Sequence, residues 1–293
     1  MDKTEKAYHE PVLLVEVLEG LGVTQGGIYV DGTVGLAGHS LAILERSYPT
    51  GFLYGFEWNE ETYEIASGML RIYEGRFKLY NENFAKIHEV LTEEGVLVDG
   101  VLLDLGLSSF LLEGVERGFS FKRDEPLDMR MNRSSEITAE HILNTFSLQE
   151  LAKVFEEGEV PKAFAFAKFV CDLRKNNPFR RTTDLVKAVK SFYKGKRNLN
   201  DLLAIIFQSL RIKVNRELEN LESALQDVPS ILKRGGRFAV ISFHSLEDRL
   251  VKVHFKKDPR LKVLTKKPIT PTAEEVRRNP RARSAKLRIA ERV

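Results

Sequence analysis

Asp31-Gly32-Thr33-Val34-Gly35-Leu36-Ala37-Gly38-His39 puts one acid and three glycines into a short span. A glycine turn lets backbone approach a ligand closely and aims a helix N-terminus at it. About twenty residues beyond the turn stands Glu57, spaced to accept hydrogen bonds from ribose hydroxyls. A third acid, Asp104, closes the run Val98-Asp99-Gly100-Val101-Leu102-Leu103-Asp104. The glycines fall at 32, 35 and 38, so the dinucleotide spacing G-x-G-x-x-G is absent. An acid at Asp31 would also repel a pyrophosphate. It suits a cation, and acids gathered round one cleft favour the sulfonium and amino group of S-adenosylmethionine.

The elements that must position these acids alternate. Gly27–Asp31, Phe52–Glu57, Phe77–Tyr80 and Val98–Asp104 read as strands. Ser40–Arg46, Glu60–Ile72 and Phe84–Glu94 read as helices between them. This rhythm implies βαβ units, a parallel sheet and right-handed crossovers. The acids then lie at the C-terminal edge of the sheet, where open α/β sheets bind ligands. From Ser108 to Val214 the pattern is helical, with amphipathic stretches at Leu148–Phe155 and Ala163–Val170 and a capped helix start at Thr183–Val189. A structureless loop of that length inside a domain is improbable, which argues for an inserted helical domain. The α/β pattern returns with a helix at Glu217–Val228, a turn at Gly235-Gly236 and a strand at Arg237–Phe243. A helix at Leu246–Phe255 follows. Leu261–Leu264 and Lys286–Ala290 are a candidate closing strand pair around a Pro- and Arg-rich loop, Pro268–Arg283. The expected division is 1–108 and 214–293 for the α/β domain and 109–213 for the insertion.

With 293 residues, 43% hydrophobic and 30% charged, the chain has a globular composition. No run approaches the ~20 apolar residues of a spanning helix. The polar N-terminus lacks an apolar signal core, and Cys171 is the only cysteine. Disulfides and multi-cysteine zinc sites are excluded, and a reducing cytoplasm is the expected compartment. The six histidines show no ligand spacing, so no metal is expected. The net charge of +3 conceals a strong partition: residues 162–216 carry +11, residues 256–293 carry +9, and the remainder is acidic at −17. Segregated positive charge is the footprint of a polyanion binder.

These residues resemble the bacterial ribosomal small-subunit RNA (cytosine-N4)-methyltransferases of the H type. The resemblance covers essentially the whole chain. It runs through His9–Leu14, the Asp31–Ser40 turn, Asp99–Ser109, Arg117–Phe121, Pro126–Met131, Gly235–Arg237, Ile241–Arg249 and Asn279–Ser284. It implies a class I S-adenosylmethionine-dependent methyltransferase fold, Rossmann-like with a mostly parallel sheet, interrupted by an all-helical domain. It further implies methyl transfer to N4 of a cytidine in the decoding region of 16S rRNA, on the small ribosomal subunit. Carried over by position, the cofactor contacts are Asp31, Ala37, Gly38, His39, Glu57, Phe84, Asp104 and Leu111. Three positions depart from the family pattern. Ala37 replaces a usual Gly, tolerable if φ stays negative. Glu57 replaces an Asp. Leu111 replaces a frequent Gln, so its contact must be apolar or through backbone.

An exocyclic amine needs acceptors for its protons, because its lone pair is delocalised into the ring. Asp104, or a group near Ser108 and Ser109, is the expected acceptor; the two serines serve equally well as helix caps. Related amino-methyltransferases carry two prolines and an aromatic after this strand; the corresponding stretch here, Asp104–Phe110, is without the two prolines. A paired base cannot enter, so the target must be unpaired or flipped. Phe119, Phe121 and Phe243 are candidates for stacking, and His244 for holding base or backbone. Arg180, Arg181, Arg281 and Arg283 are candidates for phosphate, with Lys194, Lys196, Arg197, Arg277 and Arg278 nearby in sequence. Other readings stand beside this one: a DNA amino-methyltransferase, a nicotinamide or small-molecule enzyme, and a non-catalytic RNA-binding module. A thermal shift with S-adenosylmethionine against NAD separates most of them. The basic segments predict rRNA affinity that falls steeply with salt. A titration in which affinity barely changes with salt would remove the assignment.

Overall fold

The computed structural model describes residues 11–108 and 110–293, without the side chains of residues 113 and 114. His9, Glu10 and Ser109 therefore lie outside the described residues. The helices are α1 (Leu14–Leu21), α2 (Gly38–Arg46), α3 (Glu60–Leu70), α4 (Ile87–Glu93), α5 (Ala139–Thr145), α6 (Leu148–Glu157), α7 (Ala163–Leu173), α8 (Thr182–Phe192), α9 (Leu199–Asn215), α10 (Glu217–Ile231), α11 (Ser245–Lys257) and α12 (Ala273–Arg278). The strands are β1 (Ile28–Asp31), β2 (Phe52–Phe56), β3 (Phe77–Tyr80), β4 (Val98–Asp104), β5 (Leu232–Ser242), β6 (Leu261–Val263) and β7 (Lys286–Arg292). In its described residues the chain forms two compact units, Met1–Ser108 with Leu218–Val293 and Ser109–Glu217. The second break falls after Glu217, the first residue of α10.

The first unit is built on a seven-stranded sheet in the order β3-β2-β1-β4-β5-β7-β6. Strands β1 to β5 pair in parallel, while β7 runs antiparallel to both β5 and β6. This is the topology of a class I methyltransferase. Continuous apolar runs such as Val101-Leu102-Leu103 and Phe238-Ala239-Val240-Ile241 are buried on both faces, as a covered parallel sheet requires. One face packs a cluster including Val101, Leu103, Leu225, Phe238 and Phe255. The other packs Val12, Leu13, Ile43, Leu44, Leu102 and Ile289.

Three local readings are corrected. Gly235-Gly236 is no turn before the strand: β5 starts at Leu232 and carries both glycines, with a register shift against β4 between Val98 and Gly100. A Cβ at Gly236 would meet the carbonyl oxygens of Lys233 and Val98 at 2.8 and 3.1 Å, so the bulge needs its glycine. Pro268–Arg283 is not a plain loop either. Thr272 caps α12 by accepting from the Glu275 amide, and a 3-10 turn, Pro280–Ser284, follows. Thr-x-x-Glu is a helix-start signature that the surrounding prolines obscured. Finally, the helix at Thr183 begins one residue earlier, and its amides at Arg180 and Arg181 are capped by Asp184 from inside the helix.

The second unit holds α5 to α9 around buried Phe155, Phe166 and Phe179. Ser147 and Glu150 cap α6 reciprocally. The irregular segment between residues 115 and 138 is held by buried polar groups. Glu125 accepts from the Gly118 amide at 2.8 Å, and its own backbone exchanges bonds with Thr182. Asn215 brackets it from α9, donating to the Met129 carbonyl and accepting from the Met131 amide, each at 2.8 Å. Gly118 adopts φ +76°, and a Cβ there would stand 2.3 Å from the Pro126 carbonyl oxygen. Gly118→Ala should therefore lose at least about 2 kcal/mol in denaturant unfolding, from strain plus that clash. Gly195→Ala, also at positive φ but with open space around it, should lose only about 1 kcal/mol. Equal losses would show that the Gly118 approach is not tight.

Candidate active site

The site is assembled at the C-terminal ends of β1, β2 and β4. Asp31 ends β1 and is 1% exposed. Its Oδ2 accepts from the Ser40 hydroxyl at 2.7 Å and its Oδ1 from the Thr33 amide at 3.1 Å. The acid thus holds its own turn closed against α2. Glu57, just past β2, accepts from the amides of Gly35 (2.9 Å) and Asn59 (2.8 Å). The two strand ends are tied through the glycine turn. Gly32 permits this: a Cβ there would meet Leu103 at 2.4 Å and Ile87 at 2.9 Å. Phe84 begins a short 3-10 turn after β3 and is packed on the core beside these groups.

Ala37 overturns the expectation of a negative φ. It sits at φ 61°, in the left-handed region, as the residue before α2. Its methyl is fully buried in the core cluster of that face. A non-glycine residue there stores about 1–2 kcal/mol of strain, offset in part by the buried methyl. Gly38, next to it, starts α2 against Pro11, whose ring a Cβ would approach to 3.1 Å.

Asp104 ends β4, with its side chain 23% exposed. Its amide donates to the Thr33 hydroxyl at 2.6 Å, which fixes the backbone. Its Oδ1 is buried and has no hydrogen-bond partner within the protein. Its Oδ2 faces His39 Nδ1 at 3.6 Å. His39 itself is 6% exposed, and its Nε2 lies 2.9 Å from the Val12 carbonyl oxygen. A carbonyl only accepts, so Nε2 carries a proton and donates. In the neutral imidazole Nδ1 is then the acceptor aimed at Asp104.

The electrostatics follow from burial. Burial pushes Asp31 up to about 6, against the lowering effect of its bonds from Ser40 and Thr33. It pushes Glu57 up to about 7, with the amides of Asn59 and Gly35 opposing and Asp31 adding repulsion. Asp104 is raised well above the usual carboxylate range by burial, then by Asp31 and Glu247. Burial thus disfavours the charged form of each acid, and Asp31 adds repulsion at Glu57 and Asp104.

Asp104, His39, Glu57 and the glycine turn therefore converge in one cleft within the first unit. The residue behind the next strand end was missed: Glu247 of α11 is 2% exposed and accepts from the Phe243 amide at 2.9 Å. Its spacing from His244, a cap residue with an acid three positions on, was the available signal. His244 is that cap: its Nδ1 accepts from the Glu247 amide at 3.4 Å and its Nε2 lies 3.0 Å from the Glu247 carboxylate. Phe243 packs partly on the core and lies 3.4 Å from where a Gly106 Cβ would stand. Ser40 and Thr33, which orient the acids, were also unread. Arg283 is exposed and Arg281 partly so, both in the 3-10 turn Pro280–Ser284.

Similar proteins decide the family. A model of the MraW methylase family matches residues 6–293. The chain belongs to the MraW methylase family. It is 46% identical to ribosomal RNA small subunit methyltransferase H of Desulfotalea psychrophila, over 97% of this chain and 98% of that one. It is likewise 46% identical to the protein of that name from Thermotoga neapolitana, over 98% and 96%. Among solved structures, a putative rRNA methylase of Clostridium thermocellum is similar at 12% identity and a TM-score of 0.48, over 98% of this chain and 100% of that one.

The remaining positions of the methylase lie in its helical unit. Leu111 is 4% exposed, within a π-type turn, Phe110–Gly114. Phe119 is 9% exposed, and Phe121 packs edge-on against Phe207 with ring centroids 5.7 Å apart. Arg181 is engaged: its Nε meets the Asp124 carboxylate and its Nη2 the Asp124 carbonyl, each at 2.7 Å. Its fork is therefore occupied. Arg180, Lys194, Lys196 and Arg197 are exposed.

The raised acids set a pH test. An acid whose folded pKa lies above its unfolded one binds its proton more tightly when folded. Its neutral form favours folding at low pH, and that contribution is lost as pH rises through the folded value. For Glu57 the window runs from about 4.5 to about 7, worth up to about 3 kcal/mol. The melting temperature of Glu57→Gln relative to the unaltered protein should therefore rise between pH 5 and pH 8. A difference that stays flat with pH would show that Glu57 is ionised throughout.

Proposed function

We propose that this protein transfers a methyl group from S-adenosylmethionine to N4 of a cytidine in small-subunit rRNA. Family membership carries the coarser statement, an S-adenosylmethionine-dependent methyltransferase of that RNA. The observation that supports the amine as target is the buried, unpartnered Oδ1 of Asp104 at the head of β4.

The residues fit the cofactor. Buried strand-end acids are held at raised pKa and gain from a cationic ligand. Gly32 and Gly38 let the turn pack closely on Leu103, Ile87 and Pro11, where a Cβ would clash or crowd. When bound, S-adenosylmethionine supplies an electrophilic methyl group on a positive sulfur. Glu57 then offers its carboxylate to ribose hydroxyls, and Ala37, Gly38 and His39 line the start of α2. Phe84 offers an apolar surface near the base of the cofactor.

Asp104 supplies what the amine lacks. Its Oδ1 accepts one N4 proton, which localises the nitrogen lone pair and takes up charge as the new bond forms. The cluster of acids keeps this carboxyl basic, so it is able to take the proton. The Ser108 hydroxyl, and that of Ser109, are the alternative acceptors. A base reaches the cleft only unpaired, with Phe243 beside Gly106 as its apolar neighbour. The exposed cations Arg180, Arg281, Arg283, Lys194, Lys196 and Arg197 hold phosphates of an RNA presented on the small subunit. The protein acts in the cytoplasm; among the described residues no helix is long and apolar enough to cross a membrane. No metal is assigned.

The test is methyl transfer from labelled cofactor to 30S particles and to naked 16S rRNA lacking the modification, with the product nucleoside identified. N4-methylcytidine is the expected product. Asp104→Ala should lower kcat by a factor on the order of 10² or more. It should leave the melting temperature nearly unchanged, because a carboxyl held at a raised pKa adds little to stability. Near-normal turnover of this variant would reject the acceptor role.

A further inference from the structure

The late arginine-rich segment and the Asp104 carboxyl are joined by one run of buried contacts in the first unit. Glu275 lies in α12, two residues before Arg277, and is 9% exposed. Its Oε1 accepts from the Leu13 amide at 2.8 Å. Leu13 is buried and left-handed at φ 53°, and its carbonyl accepts the first bond of α1 from the Val17 amide at 2.9 Å. The preceding residue, Val12, offers the carbonyl that His39 Nε2 meets at 2.9 Å. The opposite ring nitrogen faces Asp104 Oδ2. The run is packed as well as bonded: Ala282 and Ala285 of the late segment share one core cluster with Val12, Leu13 and Ala37.

A left-handed leucine does not hold its conformation unaided. The buried carboxylate of Glu275 is the group that captures its amide. Without that acceptor Leu13 relaxes toward the right-handed region, and the Val12 carbonyl turns away from His39. His39 then loses the bond that orients its ring and fixes which nitrogen faces Asp104. We propose that Glu275 is a positioning residue for methyl transfer, acting through Leu13, Val12 and His39 to set the carboxyl of Asp104. The proposal rests on the reading of Asp104 as the acceptor. It gives the helix that bears Arg277 and Arg278 a task beyond charge, since the same helix holds the alignment of the reacting end of the cleft. The groups that bear on Asp104 are Asp31 from β1, His39 from α2 and Glu247 from α11, and the pH profile of turnover reads their balance.

The experiment compares Glu275→Ala and Glu275→Gln with the unaltered enzyme. Glutamine keeps an acceptor oxygen for the Leu13 amide, whereas alanine does not. Turnover is measured on 30S particles below the melting temperature of each variant, with cofactor affinity read from the fluorescence of the single tryptophan, Trp58, which directly follows Glu57. Glu275→Ala should lower kcat about tenfold or more and displace the pH profile, while the KM for the particles changes less than about threefold. Glu275→Gln should recover most of the loss. In a double-mutant cycle with His39→Gln the two losses should fall well short of additive. Unchanged kcat and pH profile in Glu275→Ala, additive losses, or a glutamine variant as impaired as alanine would each overturn the proposal. Asp104→Ala measured alongside separates the two failures: if it turns over normally the acceptor reading falls, and if it is inactive while Glu275→Ala is normal only the positioning role falls.

Discussion

Carboxyls buried at the heads of parallel strands are the constraint around which this methylase is arranged. Burial raises Asp31, Glu57 and Asp104, and the charge of Asp31 raises Glu57 and Asp104 further. Isolated buried charge is among the most expensive arrangements in a protein. Here Asp31 and Glu57 are held by neutral donors, the Ser40 hydroxyl and the amides of Thr33, Gly35 and Asn59. Amides and hydroxyls satisfy the oxygens without cancelling the charge.

The fold serves this arrangement directly. A parallel sheet buried on both faces brings three strand ends to one edge, and the glycine turn lets their loops cross without side chains between them. The same economy explains the left-handed residues. Ala37 at the start of α2 and Leu13 at the start of α1 both accept strain where the chain must turn sharply beside the cleft. At Leu13 the strain is balanced by Glu275, which reaches from the far end of the sequence. The Pro- and Arg-rich late segment thus has an inner, structural side as well as an outer, cationic one.

The charge partition gains meaning from the same division. A net charge of +3 resolves into an acidic body and two basic segments. Most of the body's acids are exposed, Asp31 and Glu247 being among the few that are buried, and the cations of residues 180–197 and 277–283 are mostly exposed too. Opposite signs are kept for opposite purposes, a small cation within and a polyanion outside. Some of the arginines are nevertheless spent on the protein itself. Arg181 clamps Asp124, and Arg130 clamps Asp128 in a bidentate pair.

Much of this was legible in the residues themselves. Strand runs such as Val98–Asp104 and the glycine turn announce themselves through composition and period, because local backbone preference and burial agree there. The acids at 31, 57 and 104 could be named for the same reason: their positions follow from where strands end. What the sequence could not show is any property set by partners distant along the chain. Ala37 looked harmless until its φ was known, Arg181 looked available until Asp124 claimed it, and the helix of Ala273–Arg278 was hidden among prolines. The contact of Glu275 with Leu13, residues at opposite ends of the chain, exists only because the sheet folds β7 back beside β5. Types and spacing determine which groups can do chemistry; tertiary structure decides which of them are desolvated, oriented and left with an unpaired oxygen, since those are properties of neighbours and not of neighbours in sequence.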